Sequence, residues 1–138
     1  WQTAPNGLYD VQDPQQPDMN LRGVFVTDAA GHYELRTVRP NAYPIPDAGP
    51  VGKLLRASKR HPYRPAHVHF RLSAPGYQVL TTALYVADDP YLQSDAVFGQ
   101  KDALTVALTR HDSAAAAEQW RAKAPFYVTQ FDFALQSA

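Results

Sequence analysis

The stretch Arg64-Pro65-Ala66-His67-Val68-His69-Phe70 has the alternation of a β-strand that buries one of its faces. Residues i and i+2 of a strand point to the same side of the sheet. His67 and His69 therefore share one face, and the apolar Ala66, Val68 and Phe70 share the other. Imidazole is the side chain that most often binds metal ions in proteins. The stretch thus predicts a core strand that presents two neighbouring metal ligands.

The composition is that of one folded domain. The chain has 138 residues, 45% of them hydrophobic and 19% charged, which is enough for a real core. Thirteen basic residues balance thirteen acidic ones, so charge gives no reason to expect nucleic acid or an anionic membrane as a partner. The lack of cysteine excludes disulfides, zinc–thiolate sites and thiol nucleophiles. No long apolar run or signal peptide is visible, and we expect a cytoplasmic protein.

Short apolar runs separated by turn residues, with twelve prolines in all, favour strands and ordered loops. Leu21 to Thr27 and Tyr33 to Val38 predict a hairpin, and further strands are expected over 79–86, 103–109 and 126–135. Helical turns are expected within 51–60 and from Asp112-Ser113 to Trp120. We predict a mainly β fold, an antiparallel β-sandwich with long ordered loops and at most one or two short helices, over residues 1–138. Because the chain begins at Trp1 in what looks like the end of a strand, we also expect an upstream segment.

Two histidines alone cannot complete a metal site. Zinc sites add a third histidine, a carboxylate or thiolates, and ferrous oxygenases add a carboxylate to two histidines. The His67 strand has no such carboxylate. The other available donors are phenols, Tyr9 after Asn6-Gly7 and Tyr43 in a loop, residues 39–50, that contains four prolines. Long ordered loops in compact domains are often functional.

Several motifs occur along the chain in a fixed order. With them, the chain resembles the catalytic domain of the intradiol ring-cleavage dioxygenases, ferric enzymes that open catechols between the two hydroxyl-bearing carbons. The motifs are Asn6-Gly7-Leu8-Tyr9-Asp10, Leu21-Arg22-Gly23, residues 39–50, residues 64–69, Leu80-Thr81-Thr82, Asp89-Pro90-Tyr91-Leu92, residues 94–99 and Phe131-Asp132-Phe133.

The resemblance implies a non-haem Fe(III) held by Tyr9, Tyr43, His67 and His69. Two phenolates and a hydroxide would balance the three positive charges of that ion, which avoids burying net charge. The resemblance also implies that Tyr43 is released when substrate binds and accepts one of its protons. Arg64 would stabilise negative charge on the substrate ring. The implied reaction inserts both atoms of O2 into an aromatic diol, in the breakdown of aromatic compounds. The product is a muconate-type diacid, or maleylacetate if the substrate is hydroxyquinol.

One departure from the family pattern concerns the pocket. Many members place a glutamine that pairs with the arginine where this chain has Ala83, whose side chain forms no hydrogen bond. Ala83, Ala96 and Val97 are candidate pocket residues, and the run 95–99 is closer to the hydroxyquinol and chlorocatechol branch. Catechol, chlorocatechol and hydroxyquinol all stay open as substrates. A homodimer is expected if the parent protein carries the N-terminal helical segment of the family.

Two alternatives compete with this interpretation. A metal-free β-sandwich could bind a carbohydrate or a protein, because fold does not fix function. A colourless ferrous or zinc site on the same histidines would need a carboxylate ligand. The remaining histidines, His32, His61 and His111, are expected at the surface. The remaining tyrosines are expected to serve as packing or rim residues: Tyr33, Tyr63, Tyr77, Tyr85, Tyr91 and Tyr127.

Overall fold

The computed structural model describes all 138 residues, and short strands joined by long loops dominate it. The strands are β1 (Tyr43–Pro44), β2 (Tyr63–Arg64), β3 (His67–Leu72), β4 (Leu80–Val86), β5 (Thr105–Val106), β6 (Thr109–His111) and β7 (Phe126–Val128). The helices are α1 (Pro50–Ala57) and α2 (Ala114–Gln119). Single 3-10 turns occupy Asp10–Gln12, Leu92–Ser94 and Asp102–Leu104. The predicted fold class, mainly β with long ordered loops and at most two short helices, is confirmed.

The central sheet has the order β3-β4-β5. Strands β3 and β4 are antiparallel, and their register places His67 opposite Tyr85 and His69 opposite Ala83. Because directly opposed residues lie on the same face, Tyr85 and Ala83 share the face of the two histidines. Strand β5 runs parallel to β4, unlike the antiparallel pairing of the other strands. The predicted strands at the His-x-His stretch and over 79–86 are both confirmed.

The core is concentrated in the second half of β4. Residues 83–86 are all buried, with no more than 6% of any of them exposed. Leu92 packs against this run from the following 3-10 turn, and Leu104 packs against it from the turn before β5. The part of β3 that carries His67 and His69 is therefore paired with the best-buried part of β4. A rigid support of this kind fixes side-chain positions on both strands.

Two smaller antiparallel pairs flank the central sheet. Strand β1 pairs with β2, which sets Tyr43 directly opposite Arg64. Strand β6 pairs with β7, so that Thr109 lies opposite Val128. The first pair brings the proline-rich loop against the start of the histidine strand. It thereby carries Tyr43 to the histidine face of the central sheet.

Both helices begin where the sequence indicates. Helix α1 has Pro50 in its first turn, where a missing N–H costs nothing. Gly52 is required in it, since a Cβ at this position would lie only 1.6 Å from the Asp47 carbonyl oxygen. Helix α2 is capped by Ser113, whose side chain accepts a hydrogen bond from the backbone N–H of Ala116. No helix has the length and apolar character needed to cross a bilayer.

The predicted hairpin over 21–38 is wrong in its strands, although its turn forms. Asp28 N–H donates to the His32 carbonyl at 2.9 Å, and Asp28 Oδ1 accepts from two backbone N–H groups of the turn. The flanking segments form no ladder. Val24 and Val26 are 93% and 89% exposed, so burial gives no free energy for pairing. The two segments are instead tied to buried Gln2, which bonds to Leu21 and Val38.

Two other predicted strands are shorter than expected. The segment 103–109 is interrupted, since only Thr105–Val106 pairs with β4 before β6 begins at Thr109. The segment 126–135 pairs only over Phe126–Val128. Its later aromatics are held by side-chain packing, with Phe133 against Phe70 and Tyr33. The surface prediction holds for His32, whereas His61 and His111 are half-buried.

Candidate metal centre

The two histidines of β3 converge as the strand alternation predicts. Their Nε2 atoms lie 3.1 Å apart, on the face that β4 lines with Ala83 and Tyr85. His67 is only 2% exposed. The indole of Trp1 stacks on the His69 ring at 4.7 Å, and the backbones of Trp1 and His69 exchange two hydrogen bonds. The strand supplies the position of both rings, and Trp1 fixes the plane of the second.

Tyr9 and Tyr43 reach the same point from two loops. Their hydroxyl groups share a hydrogen bond of 2.9 Å, and Tyr43 Oη lies 3.3 Å from His67 Nε2. Gly7 allows this approach, because its φ of +82° favours glycine and a Cβ there would lie 3.2 Å from Tyr43 Cβ. The turn after Tyr9 is held by Arg22, whose Nε donates to Asp10 at 2.6 Å. The structure thus brings together all four residues that were predicted as ligands.

Hydrogen bonding fixes the tautomer of His67. Its Nδ1 donates to the Pro65 carbonyl at 2.6 Å, which leaves a lone pair on Nε2 of the neutral ring. Burial, with a smaller contribution from the Arg64 charge, lowers the pKa of His67 to about 3 and that of His69 to about 4. Burial also raises the pKa of Tyr9, assisted by its hydrogen bond to Tyr43. At neutral pH the imidazoles are uncharged, as metal ligands must be.

The spacing of the four donor atoms fits a shared metal ion. Consecutive donors, in the order Tyr9, Tyr43, His67 and His69, are 2.9, 3.3 and 3.1 Å apart. Two ligands bound at about 2.0–2.2 Å to one ion, at angles near those of a tetrahedron or octahedron, lie about 3 Å from each other. No group of three or more His, Cys, Asp or Glu side chains could hold an ion. The two phenols become hard anionic donors once they are ionised, and the two imidazoles are borderline donors that suit iron among other transition metals, so the set suits a trivalent transition-metal cation.

Arg64 lies against this cluster. Its Nη1 donates to His67 Nε2 at 3.1 Å and to Tyr43 Oη at 3.5 Å. Its Nη2 donates to Tyr85 Oη at 2.9 Å, and its Nε donates to Asp95 Oδ1 at 3.3 Å. Burial opposes the guanidinium charge, but the hydrogen bond to Asp95 and the nearby Tyr43 raise its pKa. A permanent cation therefore faces the position where a ligand of the metal would lie.

A cavity of about 340 Å³ opens beside His69 on the same face. Its wall includes Ala83, and the role of this residue in a substrate pocket stays a prediction. Ala96 is buried and Val97 is 45% exposed, but neither lines this cavity, and their pocket role stays a prediction. The cavity residues are His69, Thr81, Thr82, Ala83, Tyr85, Gly99, Lys101 and Leu104.

Sequence reasoning missed several residues that support the site. Tyr85 was interpreted only as a packing or rim residue, yet it is 3% exposed and accepts a hydrogen bond from Arg64. Strand alternation could have found it, since it is two residues after Ala83 on the same face. Asp95 and Trp1 carried no comparable local signal. Their contacts with Arg64 and His69 join positions 31 and 68 residues apart in the sequence.

Comparison with known proteins finds relatives along almost the whole chain. A family model described as "Dioxygenase" matches residues 1–137. A hydroxyquinol 1,2-dioxygenase from a Rhizobium species is 51% identical over 98% of this chain and 46% of its own length. The structure of hydroxyquinol 1,2-dioxygenase from Pseudomonas putida superposes with a TM-score of 0.92 at 45% identity, covering 100% of this chain and 49% of the other.

A catechol 1,2-dioxygenase structure from Acinetobacter gives a TM-score of 0.94 at 35% identity, over 99% of this chain and 45% of the other. The chain spans about half the length of the curated relatives that it matches. The match of the family model to nearly every residue, with relatives well above 30% identity, identifies the group. The chain belongs to the intradiol ring-cleavage dioxygenase family.

Proposed function

We propose that this chain is the catalytic domain of an Fe(III)-dependent enzyme that cleaves a catechol-type diol between its hydroxyl-bearing carbons and inserts both atoms of O2. The observation that carries the proposal is the convergence of two phenol oxygens and two imidazole nitrogens at 2.9–3.3 Å spacing. Tyr9, Tyr43, His67 and His69 would hold the ion. A bound Fe(III) would activate a chelated diol electronically and set its orientation.

The anchoring of the four donors differs, and this suits different roles. His67 and His69 lie in a six-residue strand that is paired throughout with β4. Tyr43 lies in a two-residue strand within the proline-rich loop, and Tyr9 precedes a 3-10 turn outside any strand. A residue in a loop moves more readily than one inside a sheet. The resemblance to the family distinguishes the two tyrosines, and Tyr43 is the donor that we propose to leave the ion and to accept a proton from a substrate hydroxyl.

Arg64 places a positive charge next to the proposed ligand atoms of His67 and Tyr43. Its Nη1 is within 3.5 Å of both His67 Nε2 and Tyr43 Oη, so it faces any anionic ligand that takes the place of Tyr43. A fixed donor in a site shielded from water stabilises developing negative charge better than mobile water does. We assign to Arg64 the stabilisation of negative charge on the ionised diol and its ring.

Hydroxyquinol is the substrate that we favour within this class. Relatives with about half of their aligned residues identical to this chain are named hydroxyquinol and 6-chlorohydroxyquinol 1,2-dioxygenase. Part of the wall of the cavity next to His69 consists of small or polar side chains, among them Ala83, Thr81 and Lys101, and its volume of about 340 Å³ leaves space for a further ring substituent. With hydroxyquinol the expected product is maleylacetate.

The test is to load the purified chain with iron and measure two properties. Phenolate ligands on Fe(III) give a red colour through charge transfer, and Tyr9→Phe or Tyr43→Phe should each weaken that absorption. Tyr33→Phe is the matched control, because the Tyr33 hydroxyl bonds only to the Phe131 carbonyl. Oxygen uptake is then followed with hydroxyquinol, catechol and a chlorocatechol, and each product is identified by its absorbance.

A colourless chain that binds no iron under any loading condition would contradict the proposal and favour a metal-free binding module. Iron bound without the phenolate absorption would contradict the ligand assignment of the tyrosines. Faster turnover of catechol than of hydroxyquinol would overturn the substrate preference alone.

A further inference from the structure

We propose that Tyr85 and Asp95 are positioning residues that hold the Arg64 guanidinium edge-on to the candidate metal centre, and that the Tyr85 hydroxyl thereby contributes to turnover. The inference rests on the proposed function of the same site. Neither Tyr85 nor Asp95 supplies one of the four atoms that we propose as metal ligands. Tyr85 comes from strand β4, and Asp95 comes from the loop that follows the turn Leu92–Ser94.

The contacts of Arg64 divide its nitrogen atoms into two sets. Nε donates to Asp95 Oδ1 at 3.3 Å, and Nη2 donates to Tyr85 Oη at 2.9 Å. Nη1 points the other way, to His67 and Tyr43. A guanidinium is planar, so fixing two of its nitrogens fixes the direction of the third. Tyr85 and Asp95 thus determine where the functional edge of Arg64 lies.

Asp95 is itself rigidly held. Its side chain is 2% exposed, and its carboxylate accepts backbone hydrogen bonds from Val97 at 3.2 Å and Gly99 at 2.9 Å. The hydrogen bond from Arg64 and those from the backbone outweigh the effect of burial and lower the pKa of Asp95. A buried cation is stable only beside such a compensating charge. Asp95 therefore anchors the Arg64 charge, while the loop backbone anchors Asp95.

Tyr85 is buried and offers Arg64 a neutral acceptor. It stands opposite His67 in the β3–β4 register, with the two ring centres 5.3 Å apart. Its neighbour on the same face, Ala83, cannot accept a hydrogen bond. The phenol is therefore the side chain of this strand that binds Arg64. Because Tyr85 also lines the cavity beside His69, its contact with Arg64 lies at the wall of the space proposed for substrate.

Gly99 shows that the arrangement is tightly packed. A Cβ at Gly99 would lie 2.8 Å from Tyr85 Oη, 3.1 Å from Arg64 Nη2 and 3.2 Å from Asp95 Oδ2. Any larger residue would displace at least one of the three groups. The absence of a side chain here lets the Gly99 N–H approach the carboxylate, and it keeps the three side chains in contact. Three residues from two segments, Tyr85 in β4 and Asp95 and Gly99 in the later loop, thus form one positioning unit for Arg64.

Tyr85→Phe is the test variant, because it removes only the oxygen that accepts from Arg64. With iron-loaded protein we expect kcat to fall roughly 10–100-fold, the range found when a supporting partner of a metal site is lost. KM for the diol should change much less, since the interaction that is weakened stabilises charge developing in the transition state. Tyr33→Phe removes a remote hydroxyl and should leave kcat unchanged.

A second measurement is independent of iron and of activity. In the metal-free protein, the NMR signals of the Arg64 side-chain nitrogens report rotation of the guanidinium group and exchange of its protons with water. We expect slow rotation in the wild type and in Tyr33→Phe. Rotation of the guanidinium group should be faster in Tyr85→Phe than in the wild type. In Asp95→Asn both the rotation and the exchange of the Nε proton with water should be faster than in the wild type. The signal is assigned by its disappearance in Arg64→Lys.

The outcomes separate this inference from the proposed function. If Tyr85→Phe leaves both the slow rotation of the Arg64 guanidinium group and kcat at their wild-type values, the positioning role is overturned, even if the variant is less stable than the wild type. If the substitution prevents folding, unchanged guanidinium motion in Asp95→Asn would overturn the role instead. A wild-type chain that is inactive with iron, but whose Arg64 signal responds to Tyr85→Phe, would contradict only the proposed function.

Discussion

Two segments of this chain have strand-like sequences and opposite outcomes. Residues 67–72 form strand β3 of the central sheet, paired at every position with β4. Residues 23–27 have the same β-like composition, but they form no ladder, and Val24, Phe25 and Val26 are 55–93% exposed. Both segments contain the β-branched and aromatic residues that strands favour, although only residues 67–72 also alternate apolar with polar side chains. Only the first has a partner strand and neighbours on both faces.

The difference shows what a strand-like sequence can and cannot specify. A period of two states which side chains would share a face if a strand formed. Strand formation also needs a partner for the backbone and burial for one face, and both depend on distant parts of the chain. The histidine strand has these from β4 and Trp1. We therefore expect matched substitutions to have large effects at the site strand and small ones in the exposed segment of residues 21–38.

The largest contrast is expected between His67→Gln and His32→Gln. His67 is a proposed ligand, whereas His32 lies in the exposed turn. Loss of a direct ligand should abolish the phenolate–iron absorption. It should also reduce turnover by far more than the roughly 10–100-fold caused by losing an outer partner of a metal ligand. Iron content, visible spectrum and oxygen uptake are the measurements. An iron-replete, active His67→Gln variant would remove His67 from the ligand set.

The next contrast compares Arg64→Lys with Arg36→Lys. Lysine keeps the charge of Arg64 but cannot bridge Asp95, Tyr85 and His67 with one planar group. We expect kcat to fall about 10²–10³-fold, as when one preorganised donor of a charge-stabilising site is removed. Arg36 is exposed and bonds to Glu34 and the Arg121 carbonyl, so its replacement should leave kcat unchanged. Equal kinetics for both variants would show that the positive charge of Arg64 suffices.

The pH dependence of stability gives a third test, in the metal-free protein. The pKa values of His67 and His69 are about 3 and 4 in the folded chain, below the ordinary value of 6.5. As pH falls below 6.5, the unfolded chain takes up protons at these positions and the folded chain does not. Stability should therefore decrease by on the order of a few kcal/mol between pH 7 and pH 4.

Chemical denaturation at several pH values measures this effect. His67→Gln should flatten the dependence, because one of the two linked groups is gone, whereas His32→Gln should retain the wild-type slope. An equally steep decrease in His67→Gln would place the acid sensitivity elsewhere.

The smallest contrast isolates burial itself. Val86 is 3% exposed and Val24 is 93% exposed, so Val→Ala removes the same atoms from opposite environments. We expect Val86→Ala to lower the free energy of unfolding by about 1.5–3 kcal/mol. Val24→Ala should change it by less than about 0.5 kcal/mol. Thermal or urea unfolding measures both, and a comparable loss for Val24→Ala would mean that residues 23–27 are covered in solution.

Much of the candidate site could be predicted from the sequence. The His-x-His spacing placed two imidazoles on one face, and the motifs around Tyr9 and Tyr43 supplied the phenols. The structure brings these four together. The partners of Arg64 could not be predicted in the same way. Ala83 showed that the hydrogen bond from a glutamine at this position to Arg64 is missing. That Tyr85 accepts a hydrogen bond from Arg64 instead depends on the strand register, and the contact of Asp95 with Arg64 depends on how a distant loop folds back.

The sequence by itself determined the mainly β class, the face shared by His67 and His69, and the Ser113 cap of α2, because each depends on periodicity or on residues within one turn. Tertiary structure alone decided that residues 23–27 stay unpaired. It also decided that Trp1 stacks on His69 and that Tyr85, Asp95 and Gly99 converge on Arg64. These features depend on contacts between residues far apart in the chain. Their free energy comes from burial and partners that no local pattern specifies.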